Sequence, residues 1–309
     1  MSRFTLTSIS TIVRTKLLFG AVRAGFAVGS RLAPQLTTER AARLFCTPMD
    51  SSRRRARATL IEAGTEGELT VDGQRIATYV WGSPRDQPYV LFAHGWSSHG
   101  TRILPWLHAL REAGYSVVTF DQLAHGKSDG QLATLPGFFK TLMAIGRHYG
   151  PAAAVIGHSL GGAATMLALA RGMQADRAIL IAAAADPVAA AHRFARTVGL
   201  AEHLCQRMFE WFESRIGIRF EDQQAHRNVS AIGCPALIVH DLYDRDVPWS
   251  EGERYARYWP AARLLTTQGL GHRRILDDSG VIDAGLRFLR GETVGERVVS
   301  SPNLPLGFA

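Results

Sequence analysis

The run Val155-Ile156-Gly157-His158-Ser159-Leu160-Gly161-Gly162 constrains this chain more than any other. An apolar stretch, Ala152 to Ile156, feeds it, and the helix-forming run Ala163 to Ala170 leaves it. The pattern is therefore G-x-S-x-G between a strand and a helix, with a sharp turn at the serine. A serine hydroxyl is a weak nucleophile and must be held exposed beside a base. The turn presses backbone against backbone, so Gly157 and Gly161 stand where a Cβ would clash. A helix starting just after Ser159 aims its free N–H groups at any oxyanion formed there. The plainer alternative is a glycine-rich turn with a solvated serine. The flanking strand and helix favour a nucleophile.

The chain has 309 residues, 46% hydrophobic and 20% charged. That is enough for one large α/β domain with an insertion. Cys46, Cys205 and Cys234 are odd in number and scattered, so they imply neither a disulfide framework nor metal-ligand spacing. A reducing compartment, the cytoplasm, is expected. No segment reaches the roughly 18 uninterrupted apolar residues of a membrane span.

The net charge of +8 is unevenly placed. Residues 1–62 hold eleven Lys/Arg against three acids, which accounts for the whole excess. A nucleic-acid enzyme would spread basic charge around its site, so nucleic acid is not an expected partner. Residues 1–65 read as a basic N-terminal extension. Its apolar residues are interrupted by Arg14, Lys16 and Arg23 and spread nearly all round a helical wheel. Pro34 and Pro48 break the second half of the extension, and Arg53 to Arg57 is a basic knot. A secretory signal fits poorly, and transit-peptide composition is a weaker reading. The extension is expected to touch an anionic membrane surface, to dock on the catalytic domain, or to be disordered, and to take no part in catalysis.

From Gly67 the pattern becomes regular. Glu68 to Val71, Asp72-Gly73 and Gln74 to Trp81 form a hairpin with a type I′ turn signal. Strands are expected at Tyr89 to Ala93, Ser116 to Phe120, before the elbow at Val155, at Arg177 to Ala183, Pro235 to His240 and Arg263 to Thr266. Helices are expected at Leu104 to Ala113, Leu135 to Tyr149, after the elbow, up to Tyr258, and at Val281 to Leu289. This alternation implies a mostly parallel sheet covered on both faces. Between Asp186 and Cys234 it fails. Val188, His192 and Ala195, and then Leu200, Leu204, Met208, Trp211 and Phe212, fall at helical spacing. A helical cap over about residues 187–233 is expected above the carboxyl ends of the strands. Its apolar residues are either core or, at Met208, Trp211 or Phe212, the lining of an acyl pocket. Residues 291–309 read as a tail.

Over residues 66–290 the chain resembles the α/β-hydrolase family. His94-Gly95-Trp96 resembles the oxyanion-loop motif and Asp121 to Ser128 the family's D-x-x-x-x-G-x-S turn. Gly157 to Gly161 resembles the elbow. His240 to Pro248, with Gly271-His272 further on, resembles the acid and histidine loops. The order Ser, Asp, His is the family's order. The resemblance implies Ser159 as nucleophile. It implies His272 as base, on a flexible loop after the last strand. Asp244 is the implied orienting acid, chosen over Asp241 and Asp246 because it stands four residues before Pro248. Asp186 is the alternative acid. The backbone N–H groups of Trp96 and Leu160 are the implied oxyanion donors. The HG-Trp loop favours small or linear acyl groups. A serine hydrolase of carboxylic esters is expected, acting on a small-molecule ester without cofactor or metal. An acyltransferase or thioesterase with the same triad, or a non-catalytic binding protein on the same fold, are the alternatives.

Overall fold

A computed structural model of the protein describes residues 6–298, with side chains from residue 17 onward. Three helices come first: α1 (Leu6–Leu32), α2 (Pro34–Cys46) and α3 (Asp50–Ala58). The strands are β1 (Thr65–Val71), β2 (Gln74–Trp81), β3 (Tyr89–Ala93), β4 (Ser116–Phe120), β5 (Ala154–His158), β6 (Ala178–Ile181), β7 (Ala236–Asp241) and β8 (Ala262–Thr267). The later helices are α4 (Leu104–Glu112), α5 (Leu135–Tyr149), α6 (Leu160–Ala170), α7 (Pro187–Val198), α8 (Glu202–Ile216), α9 (Ala225–Asn228), α10 (Trp249–Tyr258), α11 (Gly271–Arg274) and α12 (Ser279–Leu289).

The eight strands form one sheet in the order β1-β2-β4-β3-β5-β6-β7-β8. β1 and β2 pair antiparallel, as do β2 and β4, and every later pairing is parallel. Asp72 and Gly73 both take positive φ, the requirement of the type I′ turn that the Asp-Gly pair signals. β3, β4, β5, β6 and β7 are buried along their whole lengths. Parallel strands covered on both faces read as continuous apolar runs, and this is how Tyr89 to Ala93 and Ala236 to Val239 are written. One core, with Leu91, Phe138, Val155 and Leu167, fills one side of the sheet; another, with Phe92, Trp106, Ile156 and Phe288, fills the other. Helix α6 is buried nearly all round, so its residues carry no polar stripe.

The chain divides into two compact units. One comprises the chain up to Cys46 together with Pro187–Asp222; the other comprises Thr47–Asp186 and the chain from Gln223. The boundaries drawn at residues 65 and 233 from composition therefore differ from those of the structure. In the helical unit, Ala41, Ala42 and Cys46 of α2 share a core with Leu204, Met208, Phe209 and Phe212 of α8. Phe45 meets Phe194 of α7 at 5.0 Å between centroids. Arg23 donates to the carbonyls of Arg196 and Thr197, at 2.9 and 2.6 Å, where α7 ends with its carbonyls unpaired. The extension and the insertion are thus halves of one hydrophobic core, split in sequence by 140 residues. Pro34, read as a breaker, is the first residue of α2, where its fixed φ and missing N–H fit.

Candidate active site

Four loops at the carboxyl ends of β3, β5, β7 and β8 carry the residues singled out in the sequence, all within the sheet-bearing unit. Ser159 sits between β5 and α6 with φ 55° and ψ −122°. A non-glycine residue held there costs about 1–3 kcal/mol, and its neighbours make the turn feasible. A Cβ on Gly157 would lie 2.6 Å from Gly162 Cα and from Thr165 Oγ1. One on Gly161 would collide with the Ala93 carbonyl, and one on Gly95 would lie 2.8 Å from Ser159 Cβ.

The His272 ring bridges the other two predicted residues. Its Nε2 is 3.0 Å from Ser159 Oγ and its Nδ1 is 2.7 Å from Asp244 Oδ2. The Asp244 side chain is wholly buried and that of His272 mostly so. Asp244 Oδ1 also accepts from the N–H groups of Asp246 and Val247, at 2.8 and 2.9 Å. Burial by itself would raise the Asp244 carboxyl; the bond from His272 and those two N–H groups outweigh it and hold the carboxyl below its ordinary value. The alternative acid, Asp186, is engaged elsewhere: Arg254 pairs with it at 2.7 Å and Gln224 donates to it at 3.0 Å. Asp241 accepts from Leu270 N and Thr267 Oγ1 and ties the β7 and β8 loops together. His272 stands in α11, one turn of helix, where a flexible loop was expected.

Trp96 lies on the loop after β3, and Leu160 follows Ser159 as the first residue of α6. Neither N–H is taken by an acceptor among the described residues, and Leu160 opens a helix, where an N–H has no intrahelical partner. His94 Nδ1 lies 2.7 Å from the Gly95 carbonyl, which belongs to the same peptide group as the Trp96 N–H, and His94 Nε2 accepts from Gln122 N at 2.9 Å. Only the tautomer protonated at Nδ1 satisfies both contacts. Burial pushes His94 down to about 3, so the ring stays neutral.

Several contributors escaped the sequence reading. His158 Nε2 lies 2.9 Å from the backbone carbonyl of His272, which requires a hydrogen on Nε2. Its ring is buried and pushed to about 3 by that burial. The residue beside Ser159 therefore grips the backbone of α11. Ser97, at φ 50°, donates its N–H to His125 Nε2. Its Oγ accepts from Met49 N at 2.9 Å and its carbonyl from Arg55 at 3.3 Å. Arg53 donates to the carbonyls of Ser128 and Gly130. The basic knot in α3, grouped with the extension on charge, thus clamps the loops beside Trp96. The Asp121 turn is structural: Asp121 accepts from Tyr79 Oη, Gly100 N and Lys127 N.

Met208 and Phe212, offered as acyl-pocket residues, lie in the core of the helical unit. Trp211 is half-buried under Arg215, whose guanidinium stands 4.0 Å from the ring centroid. Among the described residues no group of His, Cys, Asp and Glu has metal-holding geometry, and no helix is long and apolar enough to cross a membrane.

The family described as serine aminopeptidase, S33, matches residues 84–232. No curated protein matches the chain. Among solved structures, alpha/beta hydrolase domain-containing protein 10 from mouse is 21% identical; the match covers 74% of this chain and 97% of that one, with a TM-score of 0.57. Est1E from Butyrivibrio proteoclasticus, solved with ferulic acid, is 22% identical over 73% and 98% of the two chains, with a TM-score of 0.56. A bacterial membrane phospholipase A is 17% identical with a TM-score of 0.58, and its match covers 91% of this chain and 98% of that one. At these identities the likeness is one of fold.

Proposed function

We propose that this chain, which has the fold of the α/β hydrolases, is a serine hydrolase cleaving carboxylic esters through an acyl-enzyme on Ser159. One observation carries the reading: His272 stands between Ser159 Oγ and Asp244, at 3.0 and 2.7 Å. In the proposed reaction His272 Nε2 takes the hydroxyl proton as Oγ attacks the carbonyl carbon. Asp244 holds the Nδ1–H tautomer and stabilises the imidazolium that forms. The N–H groups of Trp96 and Leu160 receive the oxyanion; one such donor is typically worth about 2.7–4 kcal/mol. His272 then protonates the departing alcohol, and water, activated by the same ring, releases the acid.

Linear acyl esters are the proposed substrate class. The match to the membrane phospholipase A covers more of this chain than residues 66–309 supply, so it reaches the N-terminal extension. That supports including lipid acyl esters in the class.

Steady-state turnover of p-nitrophenyl esters of increasing acyl length, with Ser159→Ala as the control, tests the proposal. An amino-acid arylamide assayed alongside separates it from the peptidase activity in the matched family's description. Ester turnover at least about 10³-fold above the control is expected. Ester turnover no faster than the control, or turnover of the amide alone, overturns the reading.

A further inference from the structure

From residue 17 onward, helix α1 buries only one side. Val22 and Phe26 are half-buried and Ser30 is buried, on the side that packs within the helical unit. Leu17, Ala21, Ala24, Val28 and Leu32 recur every three to four residues on the opposite side and are all exposed. Leu17 and Leu32 are 69% and 80% exposed. At 1.5 Å per residue this apolar stripe runs about 22 Å. On α2, Leu36 and Leu44 are exposed with Arg40 between them. Of the twelve large hydrophobic residues exposed among the described residues, seven fall between residues 17 and 44. Scattered single exposures are ordinary, whereas such a concentration marks an interaction surface.

The same stretch is strongly basic. Residues 17–44 contain four arginines, Arg23, Arg31, Arg40 and Arg43, and a single acid, Glu39. We infer that the exposed face of α1 and α2 docks on an anionic lipid bilayer, lying in the headgroup layer with its leucines and Val28 immersed. Exposed apolar side chains beside arginines match that boundary, where apolar burial and attraction to anionic headgroups act together. A second copy of the chain is the competing occupant. It would bring an equally basic face against this one, and like charges repel; the phosphates of a bilayer supply the opposite charge. The inference is independent of the reaction proposed for Ser159.

Flotation of the full-length protein with vesicles tests it. The vesicles are phosphatidylcholine alone or mixed with phosphatidylglycerol, at low and high salt. Binding to the mixed vesicles at low salt, weakened by high salt, is expected. The double variant Leu17→Glu/Val28→Glu changes only exposed positions, so its fold and its oligomeric state should match wild type while vesicle binding is lost. Arg31→Glu/Arg40→Glu should weaken binding to the anionic vesicles by at least about fivefold for each arginine. Absence of the wild-type protein from the floated fraction at low salt overturns the inference. So does undiminished binding by either variant. Conversion of a dimer to a monomer by Leu17→Glu/Val28→Glu, with vesicle binding intact, assigns the face to a second copy instead.

Discussion

Ser159, Asp244 and His272 come from three different loops and meet within hydrogen-bond reach. Residues acting as one unit do not contribute additively. Ser159→Ala and His272→Ala should each lower kcat by about 10⁴-fold or more, and the double variant by little beyond either. Asp244→Asn should be less damaging than either but still severe, whereas Asp186→Asn should leave kcat near wild type because Asp186 answers to Arg254 and Gln224. Rate measurements on the four single variants and the double variant check this set. His158 permits a sharper test. His158→Leu removes the hydrogen bond to the His272 carbonyl, a loss of about 1–3 kcal/mol. If it positions α11, kcat should fall by roughly tenfold to a hundredfold with KM little changed. Equal losses in kcat and in melting temperature, with His158→Gln rescuing neither, would make it merely a packing residue. Ser159 was legible in the sequence because everything that defines it lies within eight residues. Asp244 and His272 were legible because Pro248 and Gly271 index them. The grip of His158 on α11 was not, since its partner lies 114 positions away.

Among the elements, strands were read best. β3 and β4 fall where the apolar runs place them, and the Asp-Gly pair set the hairpin of β1 and β2. β5 begins two residues later than the apolar run Ala152 to Ile156 and runs through His158, because its pairing with β3 and β6 continues to the elbow. α1 was obscured by its own surface: apolar residues on both its packed and its exposed sides erase the amphipathic signal. The membership of α3 was obscured by charge, since Arg53 and Arg55 look like part of a basic leader until their carbonyl partners on the loops of the sheet-bearing unit are seen. One truncation and one double substitution should therefore differ from a simple loss of a dispensable leader. Removing residues 1–46 strips α8 of its packing partners on α2, and poor solubility is expected. Reducing the basic knot alone, by Arg53→Ala/Arg55→Ala, should keep the protein folded and lower kcat, because the loop that presents Trp96 loses its ties. Circular dichroism with turnover rates distinguishes these outcomes; full activity of a protein starting at Glu66 would contradict both.

The whole molecule keeps several histidines buried and neutral. Burial pushes His94, His125 and His158 from about 6.5 down to about 3, and His99 down to about 4. In the unfolded chain these rings bind protons as pH falls below about 6.5, while the folded protein leaves them neutral. The unfolded state then holds more protons, so stability falls with falling pH across that window, by up to about 1.4 kcal/mol per pH unit for each ring. The depressed Asp244 carboxyl acts in the same direction at lower pH: its stabilisation is complete above the ordinary carboxylate value and is lost as pH falls through the folded one. Urea unfolding should be nearly independent of pH between about 7 and 8 and should weaken progressively below about 6.5. A profile that stays flat down to pH 5 would show that these rings are not held neutral. The central claim concerns Ser159 itself, and a fluorophosphonate tests it most directly, since it reacts only with a serine activated by its neighbours. The intact protein should gain the mass of one probe less HF, since fluoride leaves as the Ser159 oxygen bonds phosphorus; peptide mapping should place the adduct on Ser159, and His272→Ala should abolish the reaction. Labelling at another residue, or undiminished labelling of His272→Ala, would contradict the account.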